Sequence, residues 1–220
     1  MVVSESSARR YALVDPDVRL MLEVRDDSAA AFEELVLRYQ GRLAAVLEHL
    51  VGSHDQAEDL TQEVLLRVYR ARKSYVAGAK FSTWLFTIAN NVASNAMRSR
   101  SRRHEVTLQP RDSGPLGARP LDVMLQASSS QMPARQLDKA ETRDIVRMAL
   151  GALNERQRMA VLLSKFEGMS YADIAESMGL SPQAVKSLLS RARMNLREVL
   201  EPYLQFGDRP TTGNDESGTP

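Results

Sequence analysis

The residues from Leu153 to Leu200, LNERQRMAVLLSKFEGMSYADIAESMGLSPQAVKSLLSRARMNLREVL, mark their own helix ends. No other feature constrains the fold as tightly. Asn154 with Gln157, and Ser170 with Asp173, have the spacing of capping boxes, in which the fourth residue reaches back to the N-cap backbone. Gly168 closes the helix between them. Gly179 ends a short second helix, and Ser181-Pro182 opens a third, with serine as N-cap and proline at the first helical position. A short helix, a tight glycine-containing turn and a longer basic helix make a helix-turn-helix.

The third helix divides cleanly at 100° per residue. Val185, Leu188, Leu189, Ala192 and Leu196 form an apolar face, and Lys186, Ser187, Ser190, Arg191, Arg193 and Arg197 occupy the rest. A helix that enters a major groove needs this split, with one face packed on its own domain and the other free for phosphates and base edges. From Ser181 to Arg197 there is no acid.

The rest of the chain also repeats its apolar residues at helical spacing, and no run alternates over the length of a strand. The expected fold class is all-α: two small helical domains joined by a flexible linker. The expected boundaries are an N-terminal extension over 1–27, a first domain over 28–104, a linker over 105–134, a second domain over 135–204 and a disordered tail over 205–220. The linker follows from four prolines, two glycines and a serine triplet between Thr107 and Ala134. Within the extension, DPDVRLMLEV is a candidate short helix packed on the first domain. Ser28 is expected to cap a helix striped by Phe32, Leu35, Val36, Tyr39, Leu43, Val46, Leu47 and Leu50. Gly52 ends it, and Ser53 or Asp55 caps the next. In the second domain, a helix from about Arg135 to Ala152 precedes the helix-turn-helix.

Charge is informative in its distribution rather than its sum, since the chain of 220 residues has a formal net charge of +1. Arg98, Arg100, Arg102 and Arg103 form one basic patch and the last helix forms another, a pattern suited to gripping a polyanion at two places. The helix from Asp55 to Arg72 is different. Ala57, Leu60, Val64 and Val68 face inward, while Glu58, Asp59, Gln62, Glu63 and Leu66 make an acidic strip around one exposed leucine. Such a strip repels DNA; it is either an ordinary solvated face or a meeting place for a basic protein surface.

The stretch KFSTWLFTIANNVASNAMRSRSRR, residues 80–103, contains the one tryptophan of the chain. Phe81, Trp84, Leu85, Ile88 and Val92 fall on one side of a helix and are expected to be core. Phe86 projects with Thr83, Thr87 and Asn90 on the polar side. Asn91, Asn95 and Arg98, at i, i+4 and i+7, line one flank of the core stripe. Amides can pair with exposed base edges, and arginine can hold phosphates or stack on bases.

Catalytic signals are weak. No P-loop or GxGxxG occurs, and His49, His54 and His104 lack metal-ligand spacing. The expectation is a non-enzymatic protein with no cofactor and no metal. Cysteine is absent, which excludes disulfides and fits a reducing compartment. No N-terminal run suits a signal peptide or a membrane helix, so the expected localisation is cytoplasmic, without membrane insertion.

In order and spacing, DQAEDLTQEVLLRVYRAR, KFSTWLFTIANNVASNAMRSRSRR and the helix-turn-helix segment resemble an extracytoplasmic-function (ECF) sigma factor of bacterial RNA polymerase, over about residues 28–203. The resemblance implies a region 2 domain, a region 4 domain, and two partners: core RNA polymerase and promoter DNA. Asp59, Gln62, Glu63 and Leu66 match the surface that docks on the clamp helices of the largest polymerase subunits. The loop from Ser74 to Ser82 matches the one that captures a base flipped from the −10 element, which brings Tyr75 and Lys80 into the −10 set; Phe86, projecting on the polar side of the following helix, is placed with them. Asn91 and Asn95 match readers of the opened strand, and Arg98, Arg100, Arg102 and Arg103 lie where the upstream −10 duplex is held. Lys186, Ser190, Arg191 and Arg193, with Gln183 and Ser187, sit on the helix that enters the −35 major groove. Many relatives are held by an anti-sigma factor, and no residue of this sequence decides whether one exists here. The competing readings are a free-standing helix-turn-helix regulator, which leaves the acidic strip and the asparagines without a purpose, and a protein-only helical adaptor, which the two basic helices oppose.

Overall fold

The computed structural model describes residues 14–107 and 139–205. Every regular element among them is helical: α1 (Pro16–Arg25), α2 (Ala29–Val51), α3 (His54–Ala71), a 3-10 turn (Arg72–Ser74), α4 (Phe81–Thr107), α5 (Lys139–Gly151), α6 (Glu155–Lys165), α7 (Tyr171–Met178) and α8 (Pro182–Gln205). The all-α reading stands. The expected tail beyond Gln205 lies outside the described residues, as does the expected linker beyond Thr107.

Helix ends fall where the capping chemistry puts them. The Ser28 hydroxyl accepts from Ala31 N, and that of Ser53 from Gln56 N. Both capping boxes of the second half are formed in full, Asn154 with Gln157 and Ser170 with Asp173. Gly52 and Gly179 take the left-handed conformation, φ 74° and 63°, that lets a helix close on a residue without a side chain. Ser181 Oγ accepts from Ala184 N at the start of α8. The candidate helix of the N-terminal extension is present as α1, capped by Asp15.

The described residues fall into two compact units: 14–107 with Leu153–Arg193, and 139–152 with 194–205. In the first, α2 packs on α1, α3 and α4 through Leu35, Tyr39, Leu43, Val46, Leu47 and Leu50, all buried. Burying a side chain of this size is worth about 1.5–3 kcal/mol, so this stripe is a main source of the unit's stability. In the same unit α7 packs on α4, and α6 on α2. In the second unit Ala149 and Leu150 are buried and the Tyr203 hydroxyl donates to Met148 Sδ at 3.6 Å.

Two expectations need correction. Phe86 does not face solvent; it is 0 % exposed. The face it shares with Thr83 is covered by α7, so α4 is packed on two sides and an aromatic there is interior. Tyr75 is not presented by its loop either. It is 3 % exposed, with its ring edge-on to Trp84 at 4.9 Å. A ring this large is stabilised more by the apolar floor under the loop than by water. Trp84, half-buried between Tyr75 and Phe81, is a prop for that loop.

Candidate nucleic-acid and polymerase interfaces

Three surfaces emerge. The first is the outer face of α3, whose inner side is fixed by Ala57, Thr61, Val64 and Val68, all buried. Thr61, missed by the apolar pattern, returns its hydroxyl to the Ala57 carbonyl at 2.7 Å and so costs the core nothing unpaired. Outside, Asp59 and Gln62 are exposed, Glu63 pairs with Arg67 at 2.7 Å, and Leu66 is 45 % exposed. Tyr69, one turn on, is exposed beside Leu66, with its ring under the Arg72 guanidinium at 4.1 Å. Sequence reasoning passed over Tyr69, although its i+3 spacing from Leu66 was visible. Leu66 is thus an exposed apolar side chain on the acidic side of α3, while Tyr69 lies against the Arg72 guanidinium.

The second surface is the flank of α4. Asn91, Asn95, Arg98, Arg100 and Arg102 are exposed; the side chain of Arg103 lies outside the described residues. Arg98 donates to Asn95 Oδ1 at 2.7 Å and to the Ser94 carbonyl at 3.2 Å. One lone pair of the Asn95 amide oxygen is thereby used, and the same side chain also carries an NH2 donor. Arg100 reaches the Val51 carbonyl at 3.3 Å. Asn90, Asn91 and Arg98 line a crevice whose opposite wall includes Arg156 and Met178.

That wall belongs to α6 and α7, which join the same unit through polar ties the sequence did not suggest. Thr83, 0 % exposed, donates to Asp173 at 3.4 Å, and its carbonyl accepts from the buried Ser177 hydroxyl at 3.0 Å. Lys80 pairs with Asp173 at 3.1 Å. Burial alone pushes the Asp173 carboxyl up, but hydrogen bonds from Ser170 and Lys80 outweigh it and hold the group below the usual carboxylate range. Arg42 pairs with the buried carboxylate of Glu167, and Arg158 donates to the Leu50 carbonyl at 3.1 Å. Lys80, expected on DNA, is thus engaged within the protein.

The third surface is α8. Val185, Leu189 and Ala192 are buried, and Gln183, Lys186, Ser187, Ser190 and Arg191 line one shallow groove on the opposite side. Arg193 is exposed beside it, its Nε held by the Leu189 carbonyl at 3.3 Å. Serines between the cations keep the groove low enough for close approach to a phosphate chain. Among the described residues, no acid pairs with Lys186, Arg191 or Arg193.

An anchored acidic strip, an amide-and-arginine flank and a basic reading helix define a factor that couples a protein partner to DNA at two places. Comparison with known proteins agrees. Residues 35–103 match the family model for sigma-70 region 2, and residues 143–196 match that for sigma-70, region 4. The chain is 31% identical over 194 residues to the RNA polymerase sigma-H factor of Pseudomonas aeruginosa, covering 87% of this chain and 97% of that one. It is 34% identical over 180 residues to the sigma factor CarQ of Myxococcus xanthus, covering 82% and 95%. Among solved structures, RpoE of Bartonella quintana, in complex with the anti-sigma factor NepR, matches with a TM-score of 0.59 at 30% identity, over 77% of this chain and 96% of that one. CnrH, in complex with the cytosolic domain of CnrY, matches in fold with a TM-score of 0.61 at 23% identity, over 86% and 99%. The chain belongs to the sigma-70 family, in its extracytoplasmic-function group. It acts in promoter-specific transcription initiation by RNA polymerase, and the free-standing regulator is not favoured. No helix among the described residues is long and apolar enough to cross a membrane.

Proposed function

We propose a division of labour in which α3 docks core polymerase, α4 reads and opens the −10 element, and α8 reads the −35 element. The observation that carries it is the segregation of chemistry by helix: an acidic apolar-centred face on α3, amides with arginines on α4, and an acid-free basic groove on α8. The process is strand opening by binding, without covalent chemistry and without a cofactor, in the cytoplasm. Unstacking a base costs a few kcal/mol, offset by contacts to the freed base and by phosphate attraction. The domain boundaries follow the same division, with region 2 over 28–104 and region 4 over 135–204.

Two variants test the −10 assignment. Asn91→Ala and Asn95→Ala are expected to reduce promoter opening roughly tenfold, in line with the loss of a base-edge contact. Recovery of core polymerase is expected to stay at the wild-type level. Permanganate reactivity of unpaired −10 thymines, measured on a promoter selected from a random library, checks the first; a pull-down checks the second. Loss of polymerase recovery would make both asparagines structural.

The tight packing of α7 on α4 is incompatible with simultaneous engagement of both elements. A compact body of about 150 residues is roughly 40 Å across. Centres of the −35 and −10 elements lie about 25 base pairs apart, roughly 80 Å of B-DNA. The ties through Lys80, Thr83 and Arg42 are therefore those of a closed form, which polymerase must open. By likeness to the Bartonella quintana protein, an anti-sigma partner is a further proposed ligand of this chain, competing with polymerase for the same faces.

A further inference from the structure

Tyr75–Lys80 lies within the loop from Ser74 to Ser82 that the sigma reading assigns to base capture, and the assignment made here rests on that reading. Helix α1 packs against both flanks of this segment. At its far end stands Asp15. Oδ1 of Asp15 accepts from Asp17 N at 2.9 Å and Val18 N at 3.4 Å, which caps α1; Oδ2 accepts from Phe81 N at 3.1 Å. Phe81 is the first residue of α4, so its N–H is one of the donors that a helix cannot satisfy from within. Lys80, just before it, has no side-chain acceptor to offer. The acceptor comes instead from 66 residues earlier in the chain.

The near end is held as well. Lys73 Nζ donates to the carbonyl of Arg25, the last residue of α1, at 2.8 Å and to Asp27 at 2.5 Å. Arg72 Nε donates to the other oxygen of Asp27 at 3.2 Å. Asp27 itself stands at φ 70°, a conformation uncommon outside glycine, and Lys73 and Arg72 hold its carboxyl below the usual range. Asp17 completes the brace by accepting from the Tyr39 hydroxyl at 2.6 Å, and the Tyr39 ring meets Phe81 edge-on at 5.1 Å. All of these acids precede residue 35, where the match to the region 2 model begins.

We infer that Asp15 is a positioning residue for promoter opening: its bridge to the Phe81 N–H makes α1 a strut, anchored again at Asp27, that sets the path of Tyr75–Lys80 before DNA arrives. A loop ordered in advance loses less entropy on capturing a base. The plainer role, a cap on α1 alone, differs in its chemistry. Both carboxylate oxygens of Asp15 are used, one on each helix. Asparagine offers one acceptor oxygen and serine one short hydroxyl; each caps α1 well, and neither also reaches Phe81 N as a second acceptor.

The test compares Asp15→Asn, Asp15→Ser and Asp15→Ala in the full chain with core polymerase. Asp15→Asn and Asp15→Ser are expected to lower the melting temperature by no more than a few degrees and to keep wild-type polymerase recovery, yet to open the −10 region about tenfold less, with faster amide exchange at Phe81. Wild-type opening in both, with loss in Asp15→Ala alone, would reduce Asp15 to a cap and overturn the strut. So would unchanged exchange at Phe81. Absence of opening by the wild-type protein itself would overturn the sigma reading of α4, and the strut with it, and is told apart by that control.

Discussion

Chemically holding α2 to the α6–α7 turn is expected to abolish transcription, and releasing the tie is expected to restore it. Arg42 and the buried carboxylate of Glu167 meet across this junction, and neither belongs to the docking strip or to a DNA-reading set. The chain has no cysteine, so Arg42→Cys with Glu167→Cys gives one defined pair of thiols. A short bis-methanethiosulfonate linker, removable by reductant, then fixes α7 against α4. The linked protein cannot separate the two reading surfaces by the roughly 80 Å that promoter geometry asks for. The expected result is loss of run-off transcript by at least a hundredfold in the linked protein and recovery to the level of the unlinked double variant after reduction. Equal transcription by linked and reduced protein would show that the closed packing is compatible with initiation. Of the ties, Lys80–Asp173 is partly exposed, and pairs of that kind are worth at most about 1 kcal/mol, whereas Arg42–Glu167 holds a buried carboxylate and is the stronger one to release.

A second large effect is expected at α3. Leu66→Ala combined with Asp59→Ala removes the apolar anchor and one acid of its rim. Truncation of a central anchor typically costs 2 kcal/mol or more, so recovery of core polymerase should fall about thirtyfold. The fold should be unaffected, since Leu66 is 45 % exposed and Asp59 is exposed. A titrated pull-down with unchanged helical content checks both halves. Equal recovery of wild type and variant would remove the docking assignment from this face. Tyr69, exposed next to Leu66, extends the anchor; Tyr69→Ala alone should weaken recovery in the same direction by less.

What the sequence made legible was everything governed by local chemistry. Ser28, Ser53, Asn154, Ser170 and Ser181 announced helix starts because a capping side chain bonds within three residues of itself. The split of α8 into Val185, Leu189 and Ala192 against Lys186, Ser190 and Arg191 followed from period alone. Tertiary pairing was not legible. A helical projection of α4 assumes one buried side, so it put Phe86 with the polar residues; the covering of that face by α7 depends on residues 90 positions away. Thr83 and Ser177 read as ordinary polar residues for the same reason, and their burial becomes intelligible once the Ser177 hydroxyl is seen to donate to the Thr83 carbonyl and the Thr83 hydroxyl to Asp173. Tyr75 was misjudged because a loop residue was expected at the surface, whereas Trp84 provides an apolar floor beneath it. Asp15 could be read as a cap for α1, but its second bond, to Phe81, lies outside any local pattern.

The most direct test of the division of labour is a reconstituted transcription assay on a library-selected promoter, with core polymerase and either wild-type protein or single variants at α4 and α8. The account predicts no transcript from core alone and a transcript with the wild type. Asn95→Ala is expected to cut opening without loss of −35 protection, and Arg191→Ala to weaken −35 protection while the opened −10 region, once formed, stays reactive to permanganate. Transcription by core and wild type that is indifferent to both variants would contradict the account, as would a protein that protects promoter duplex equally well with no polymerase present.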